Sequence, residues 1–177
     1  MSTYIRSSAE LWAFSGGANE DDNIGGKLKI NVVFTDRQGT IAALRTAGLL
    51  ADQLRARVDL LVAQIVPLPF SLTRPPVPIG FTQEQLLKLV NQSNAAPIEV
   101  LIDLYLCRDR LSCILEALRP QSLVIVGARR WWWSNRETRL LATLQRAGHH
   151  VIVPNLRADF HVNRWTVGPS VTHNPTS

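Results

Sequence analysis

Only two cysteines occur in the chain, Cys107 and Cys113, six positions apart. Neither belongs to a CxxC pair or has a histidine at zinc-site spacing, so the sequence carries no metal signature and no disulfide framework. Two reduced thiols of this kind fit a cytoplasmic protein. Long apolar runs are missing too. No stretch nears the roughly 20 residues of a membrane span, and the N-terminal MSTYIRSSAELW lacks the apolar core of a secretory signal. The expectation is a cytoplasmic chain without a membrane partner. Catalytic patterns are equally scarce: the sequence has no nucleophile elbow, no metal-spaced cluster and no paired carboxylates. His149 and His150 lack a nearby carboxylate and read as turn and edge residues rather than ligands. No catalytic residue and no metal ligand is assigned, and the chain is read as a non-enzyme.

What is present is a hydrophobic fraction of 46% over 177 residues, enough for one domain with a full core. The most informative stretch runs from Leu123 to Pro154. Leu123 to Val126 is a short buried strand closed by Gly127. Arg129, Arg130 and the consecutive Trp131, Trp132 and Trp133 follow. Ser134 and Glu137 then form a capping-box pattern that opens a helix. Its apolar face is Leu140, Leu141, Leu144 and Ala147, and Gly148 stands where a helix stop is expected. His150 to Val153 reads as a second strand, ended by Pro154.

Upstream, Ile30 to Phe34 predicts a buried strand with Thr35 and Asp36 at its carboxyl end. Gln38-Gly39 reads as a turn, and Thr40 opens a helix with Ile41, Leu44, Ala47, Ala51 and Leu54 on one face. Val58 to Val66 predicts the next strand. The loop from Pro67 to Phe81 holds five of the chain's ten prolines and must be extended. Thr82 and Gln85 form a second capping-box pattern before a helix carrying Leu86, Leu87, Leu89 and Val90. Ile98 to Leu106 is a strand, and Asp109 caps a helix bearing Leu111, Ile114, Leu115 and Leu118, stopped by Pro120. Residues 1–26 read as a partly flexible N-terminal arm in which Glu10 to Phe14 could add a short strand or helical turn. Residues 155–177 read as a polar C-terminal tail.

This alternation predicts an α/β fold: a doubly wound, five-stranded parallel sheet in the order 3-2-1-4-5, Rossmann-like. The strand order reverses between the strands at 30–34 and 123–126. Ligands of open α/β sheets bind at such a reversal, beyond the carboxyl ends of the strands. Asp36 and the loop after Gly127 should face each other there.

Three features make residues 27–154 resemble a universal stress protein domain. The first strand ends Phe34-Thr35-Asp36 before a long amphipathic helix. The second runs into the proline-rich Val66-Pro67-Leu68-Pro69. The fourth ends Val-Ile-Val-Gly, and the last ends Val-Ile-Val. The resemblance implies the adenine nucleotide alpha hydrolase-like version of the fold, a regulatory role in stress response, and homodimerisation through the edge of the last strand, Val151 to Val153. It also implies an ATP or AMP site, with Asp36 and Val66 on the base side and a Gly-x2-Gly-x9-Gly-Ser/Thr loop for phosphates. Here only Gly127 of the three glycines remains. Arg130 stands at the second, and alignment on the last strand puts Glu137-Thr138 at the final pair. The expected site set is therefore Asp36, Val66, Gly127, Arg129, Arg130 and Thr138, with the base side kept and the phosphate side rebuilt. The reading is a non-catalytic regulatory module with a degenerate nucleotide site. The alternative is a genuine ATP- or AMP-binding protein in which Arg129 and Arg130 hold phosphate through side chains.

Charge and aromatics bear on partners. Between Gly127 and His150 lie five arginines and one acid, Glu137, so this segment carries +4 of the chain's net +5. That field favours an anion, but the stretch is short and no nucleic-acid motif accompanies it, which argues against nucleic acid. Three adjacent tryptophans cannot all point into one core. Packing on loop and tail, a protein interface through Trp131, Trp132 and Trp133, and stacking on a base all remain open.

Overall fold

The computed structural model describes residues 3–8, 28–95, 98–127 and 135–154. Its elements, in chain order, are β1 (Thr3–Ser8), β2 (Lys29–Val33), α1 (Arg37–Leu54), β3 (Arg57–Ile65), α2 (Ile79–Gln92), β4 (Val100–Cys107), α3 (Arg110–Ala117), β5 (Leu123–Val126), α4 (Asn135–Arg146) and β6 (His150–Ile152). All strand pairings are parallel. The order is β1-β4-β3-β2-β5-β6. Without β1, this is the 3-2-1-4-5 doubly wound sheet that the alternation predicts. The addition is β1, which extends the β4 edge in register from Thr3 against Val100 to Ser8 against Tyr105. A strand that the sequence reading did not include thus lies at Thr3–Ser8; Glu10 to Phe14, read as a possible short strand or helical turn, falls outside the described residues.

Two hydrophobic clusters sit on opposite faces of the sheet. Ile30, Val32, Val58, Leu60, Val100, Ile102 and Ile125 alternate onto one face and pack with Ala43, Leu44 and Ala47 of α1 and Leu86, Leu89 and Val90 of α2. Val33, Leu61, Val124 and Val126 point the other way, against Ile114 of α3 and Leu140, Leu141 and Leu144 of α4. Period-two alternation on strands buried on both faces explains why these segments are almost uniformly apolar. Burying a Leu such as Leu144, with no exposed surface, contributes about 1.5–3 kcal/mol. Two buried carboxylates, Asp59 and Asp103, interrupt the apolar strands. Asp59 has no exposed surface and is paired with Lys29 at 2.7 Å and Arg57 at 3.3 Å. Lys29 opens β2, so this ion cluster lies at the amino end of the strands, away from the switch point.

Two helix starts depart from the sequence reading. The first helix begins at Arg37, not Thr40, because the Asp36 carboxylate caps it and accepts from the amides of Gln38 and Gly39 at 2.9 and 3.0 Å. Gln38-Gly39 is therefore helical and not a turn. The second begins at Ile79, with Pro78 at its N-cap and no side-chain cap. Thr82 sits inside the first turn and donates instead to Gln64 Oε1 at 3.0 Å. Asp109 caps α3 as read, accepting from the Ser112 amide at 2.8 Å.

The end of α4 follows the expected stop. Gly148 has φ +83, its amide donates to Gln145 O at 3.0 Å, and the His149 amide donates to Leu144 O at 3.1 Å. These are the paired bonds of a Schellman cap. The cap turns His149 inward, so this residue is buried and not merely a turn residue, and its Nδ1 has no partner among the described residues. Burial lowers its pKa from the ordinary 6.5, since the charged ring is poorly solvated there.

Two outcomes are expected. Gly148→Ala should destabilise the fold by about 1–2 kcal/mol, the usual cost of a left-handed non-glycine residue, measured by urea unfolding. Well above pH 6.5 the His149 ring is neutral in both folded and unfolded chains. As pH falls through 6.5 the unfolded ring protonates first, so stability falls until the folded ring also protonates. Thermal melts should show a loss between pH 7.5 and 5.5 that is smaller in His149→Phe than in the parent chain.

Candidate functional site

The switch point lies between the carboxyl ends of β2 and β5, which are paired from Ile30 with Leu123 to Val33 with Val126. From β2 the chain passes through Phe34 and Thr35 into the capped start of α1. From β5 it reaches Gly127. Thr35 Oγ1 donates to the Gly127 carbonyl at 2.5 Å. The Thr35 amide donates to Thr40 Oγ1 at 3.1 Å, and the Thr40 amide to the Asp36 carbonyl at 2.9 Å. Below these bonds two glycines meet. A Cβ on Gly127 would stand 1.8 Å from the Gly39 carbonyl oxygen, and one on Gly39 would stand 2.7 Å from that of Gly127. Only paired glycines permit this approach. Asp36 and Gly127 are thus brought to the same crevice, as the topology requires, and backbone fills the space between α1 and β5.

The base-side residues are engaged within the chain. Asp36 gives its carboxylate to the amides of its own helix, so the N-terminus of α1 presents neither a free carboxylate oxygen Oδ1 nor uncapped Gln38 and Gly39 amides. Val66 is fully buried. Its amide donates to the Cys107 carbonyl at 2.9 Å, and its carbonyl accepts from Arg108 Nη1 at 2.5 Å. The other arm of that guanidinium, Nη2, donates to the Phe70 carbonyl at 2.7 Å. Arg108 therefore fastens the proline-rich loop to the end of β4.

A second arginine completes the crevice. Arg110, at the start of α3, reaches across the strand ends and donates from Nη2 to the Phe34 carbonyl. Its Nε is buried without a partner among the described residues. Burial depresses its pKa, offset in part by Cys107 and Glu137, while Arg136 acts in the same direction as burial. Thus α4 brings Arg136 and Glu137 within electrostatic reach of Arg110. Glu137 lies in the first turn of α4, where an acid favours the helix dipole and disfavours an anionic ligand. Thr138 follows it, exposed to solvent.

Of the six residues the sequence points to, Asp36, Val66 and Gly127 gather at the strand ends, and Thr138 stands in the first turn of α4 beyond them. Arg129 and Arg130 lie outside the described residues, as do Trp131, Trp132, Trp133 and Ser134, so the Ser134 cap falls there too. Sequence reasoning passed over Thr35, Gly39, Arg108 and Arg110. The signal for Gly39 was its place three residues after Asp36, the N3 position that an aspartate cap bonds. For the arginines it was their position flanking the Asp109 cap at the end of a strand. Among the described residues no group of His, Cys, Asp and Glu could hold a metal ion, and no helix is long and apolar enough to cross a membrane. A scan of protein-family models gave no match, and no curated protein matched the chain.

The glycine contact defines a test. Gly127→Ala should destabilise by at least about 1–3 kcal/mol, the range for overpacking, because the obstructing atoms are backbone. Gly80→Ala, in the first turn of α2 with nothing within 4 Å of the added carbon, should instead be neutral or stabilising by up to about 1 kcal/mol. Chemical unfolding of the two variants in parallel checks the contrast.

Proposed function

We propose that the chain is a non-catalytic regulatory module of the universal stress protein type, acting in stress response as a homodimer, with a degenerate nucleotide site. The observation that carries this reading is the internal use of the base side. The Asp36 carboxylate caps its own helix, the Val66 carbonyl is bonded by Arg108, and Gly39 rests on Gly127. Asp36 Oδ1 and the Val66 amide and carbonyl are already hydrogen-bonded, so a nucleotide that used them would have to break those bonds, each worth about 0.5–1.5 kcal/mol net. Glu137 adds electrostatic resistance at the phosphate end.

One observation favours the alternative, a true ATP or AMP site. Arg110 keeps a buried, unpartnered Nε at the strand ends, with Arg136 nearby and Arg129 and Arg130 close in sequence. A nucleotide phosphate would satisfy such a group. Mass spectrometry of the freshly purified, denatured protein separates the readings. The proposal expects no adenine nucleotide, and near-stoichiometric ATP or AMP would refute it. Glu137→Gly, which removes the acid, should gain no ATP affinity by calorimetry, because the base side stays engaged.

Dimerisation is supported by the edge at β6. Among the described residues this strand pairs only with β5, and Val153 just beyond it is 39% exposed. An apolar strand edge is a liability unless another chain or element covers it. Light scattering at micromolar concentration should give a dimer mass for the parent and a monomer mass for Val153→Lys. A monomeric parent would rule the dimer out.

A further inference from the structure

Large apolar side chains are exposed unevenly over this molecule. Among the described residues nine are exposed, and five of them, Ile65, Leu68, Phe70, Val77 and Phe81, fall between the end of β3 and the first turn of α2. Leu68 is 80% exposed. From Leu60 to Gln83 the sequence has no acid, and Arg74 is the one charged residue. Connecting loops are ordinarily polar, and apolar side chains gathered on a surface mark a contact site.

The exposure belongs to a well-fastened loop. The Phe70 amide donates to the Pro67 carbonyl at 3.1 Å and the Arg74 amide to the Ser71 carbonyl at 3.2 Å, so two successive turns shape it. The hydroxyls of Ser71 and Thr73 bond at 2.8 Å within the second turn. Arg108 holds the carbonyls of Val66 and Phe70, and Thr82 is tied to Gln64 on β3. Five prolines restrict φ along the way. A loop fixed in this manner has already lost the backbone entropy that a flexible one would lose on docking.

Charge selects what it docks on. The central strands are all parallel, so α1, α2, α3 and α4 start at the end of the sheet where this loop leaves β3. Arg37, Arg110 and Arg136 stand in the first turns of α1, α3 and α4, and Arg74 is on the loop itself. The carboxylates at this end are Asp36 and Asp109, which bond helix amides, Glu84, which is paired with Lys88 at 2.7 Å, and Glu137. Exposed apolar side chains beside guanidinium groups match a surface with an apolar interior and anionic headgroups. We propose that this end of the molecule docks peripherally on an anionic phospholipid bilayer. Leu68 and Phe70 enter the boundary between headgroups and acyl chains, and Arg74 meets lipid phosphate. No helix has to span the bilayer, and among the described residues none is long and apolar enough to do so. The expectation of a chain without a membrane partner rested on the lack of long apolar runs. Here prolines divide the apolar residues into short pieces that are exposed in the fold. The inference is independent of the nucleotide reading, since it needs no ligand in the crevice.

The test is co-sedimentation of the full chain with large unilamellar vesicles, made of phosphatidylcholine alone or of phosphatidylcholine mixed with phosphatidylglycerol. Binding is expected on the mixed vesicles, little on the neutral ones, and less as salt rises. Leu68→Asp should lower the partition coefficient at least about tenfold, the effect of losing one inserted leucine. Phe70→Ser should act in the same direction. Leu49→Asp makes the same charge change at an exposed leucine of α1 and should bind like the parent. Far-UV circular dichroism confirms that each variant is folded. A parent chain absent from the mixed-vesicle pellet overturns the proposal. Equal binding to the two vesicle types overturns it, as does unchanged binding by both folded loop variants. Self-association of the lipid-free parent that Leu68→Asp abolishes and Val153→Lys leaves intact assigns the loop to a second copy, and overturns it as well.

Discussion

The contact of Gly39 with Gly127 sets the geometry at the carboxyl end of the central strands. A parallel sheet with helices on both faces opens a crevice where its strand order reverses, because the connections on either side leave in opposite directions. Here α1 starts so close to the end of β5 that their backbones touch, and a single methyl group on either glycine would collide with a carbonyl. The Thr35–Gly127 hydrogen bond and the Asp36 cap act on the same few residues. They fix where β2 stops, where α1 begins and how far α1 stands from β5. The packing of Ala43, Leu44 and Ala47 on the sheet inherits that position, which is why small residues suffice along this helix.

A second layer of constraint comes from α3. The helix has only eight residues, too few to be a marginally stable helix alone. It is held at its start by the Asp109 cap and by arginines on either side of it. Arg108 ties the proline-rich loop to β4, and Arg110 spans to the end of β2. Charge-assisted bonds to backbone carbonyls are stronger than neutral ones, and they satisfy carbonyls that β-strand pairing leaves over at the sheet end. The cost is a guanidinium in a poorly solvated place with one nitrogen unpartnered among the described residues. The short link between β4 and α3 thus carries a cap and two anchoring cations between two buried thiols, Cys107 and Cys113.

The charge distribution keeps two ionic sites apart. Asp59, with Lys29 and Arg57, occupies the amino end of the sheet. There it neutralises cations that would otherwise crowd the register pair Lys29 and Arg57. Arg110 at the start of α3 and Arg136 at the start of α4 lie at the opposite end. A buried ion pair is weak evidence of stability, and the value of Asp59 lies in fixing the alignment of β2 with β3. That alignment sets how far Thr35 and Val66 project beyond the sheet.

The sequence alone determined the architecture. Runs such as Ile30–Phe34 and Leu123–Val126 are apolar on both alternating faces, and helices with periodic Leu and Ala separate them. Such a pattern has few solutions besides a doubly wound parallel sheet. It also determined the stop of α4, because a glycine after the last apolar turn has a local mechanism that needs no distant partner. Tertiary structure decided everything that depends on contacts between remote residues. The first turn of α1 can lie against the end of β5 only because Gly39 meets a second glycine, Gly127, 88 positions away. Thr82 bonds Gln64 in place of capping α2, since β3 brings a better acceptor alongside. The β1 strand joins the sheet because β4 leaves an unpaired edge, a vacancy that no local pattern near Thr3 reveals. Arg108 and Arg110 found their carbonyls only after three strand ends were assembled side by side. Local propensities act within a few residues, whereas these bonds arise from the positions that the packed sheet imposes.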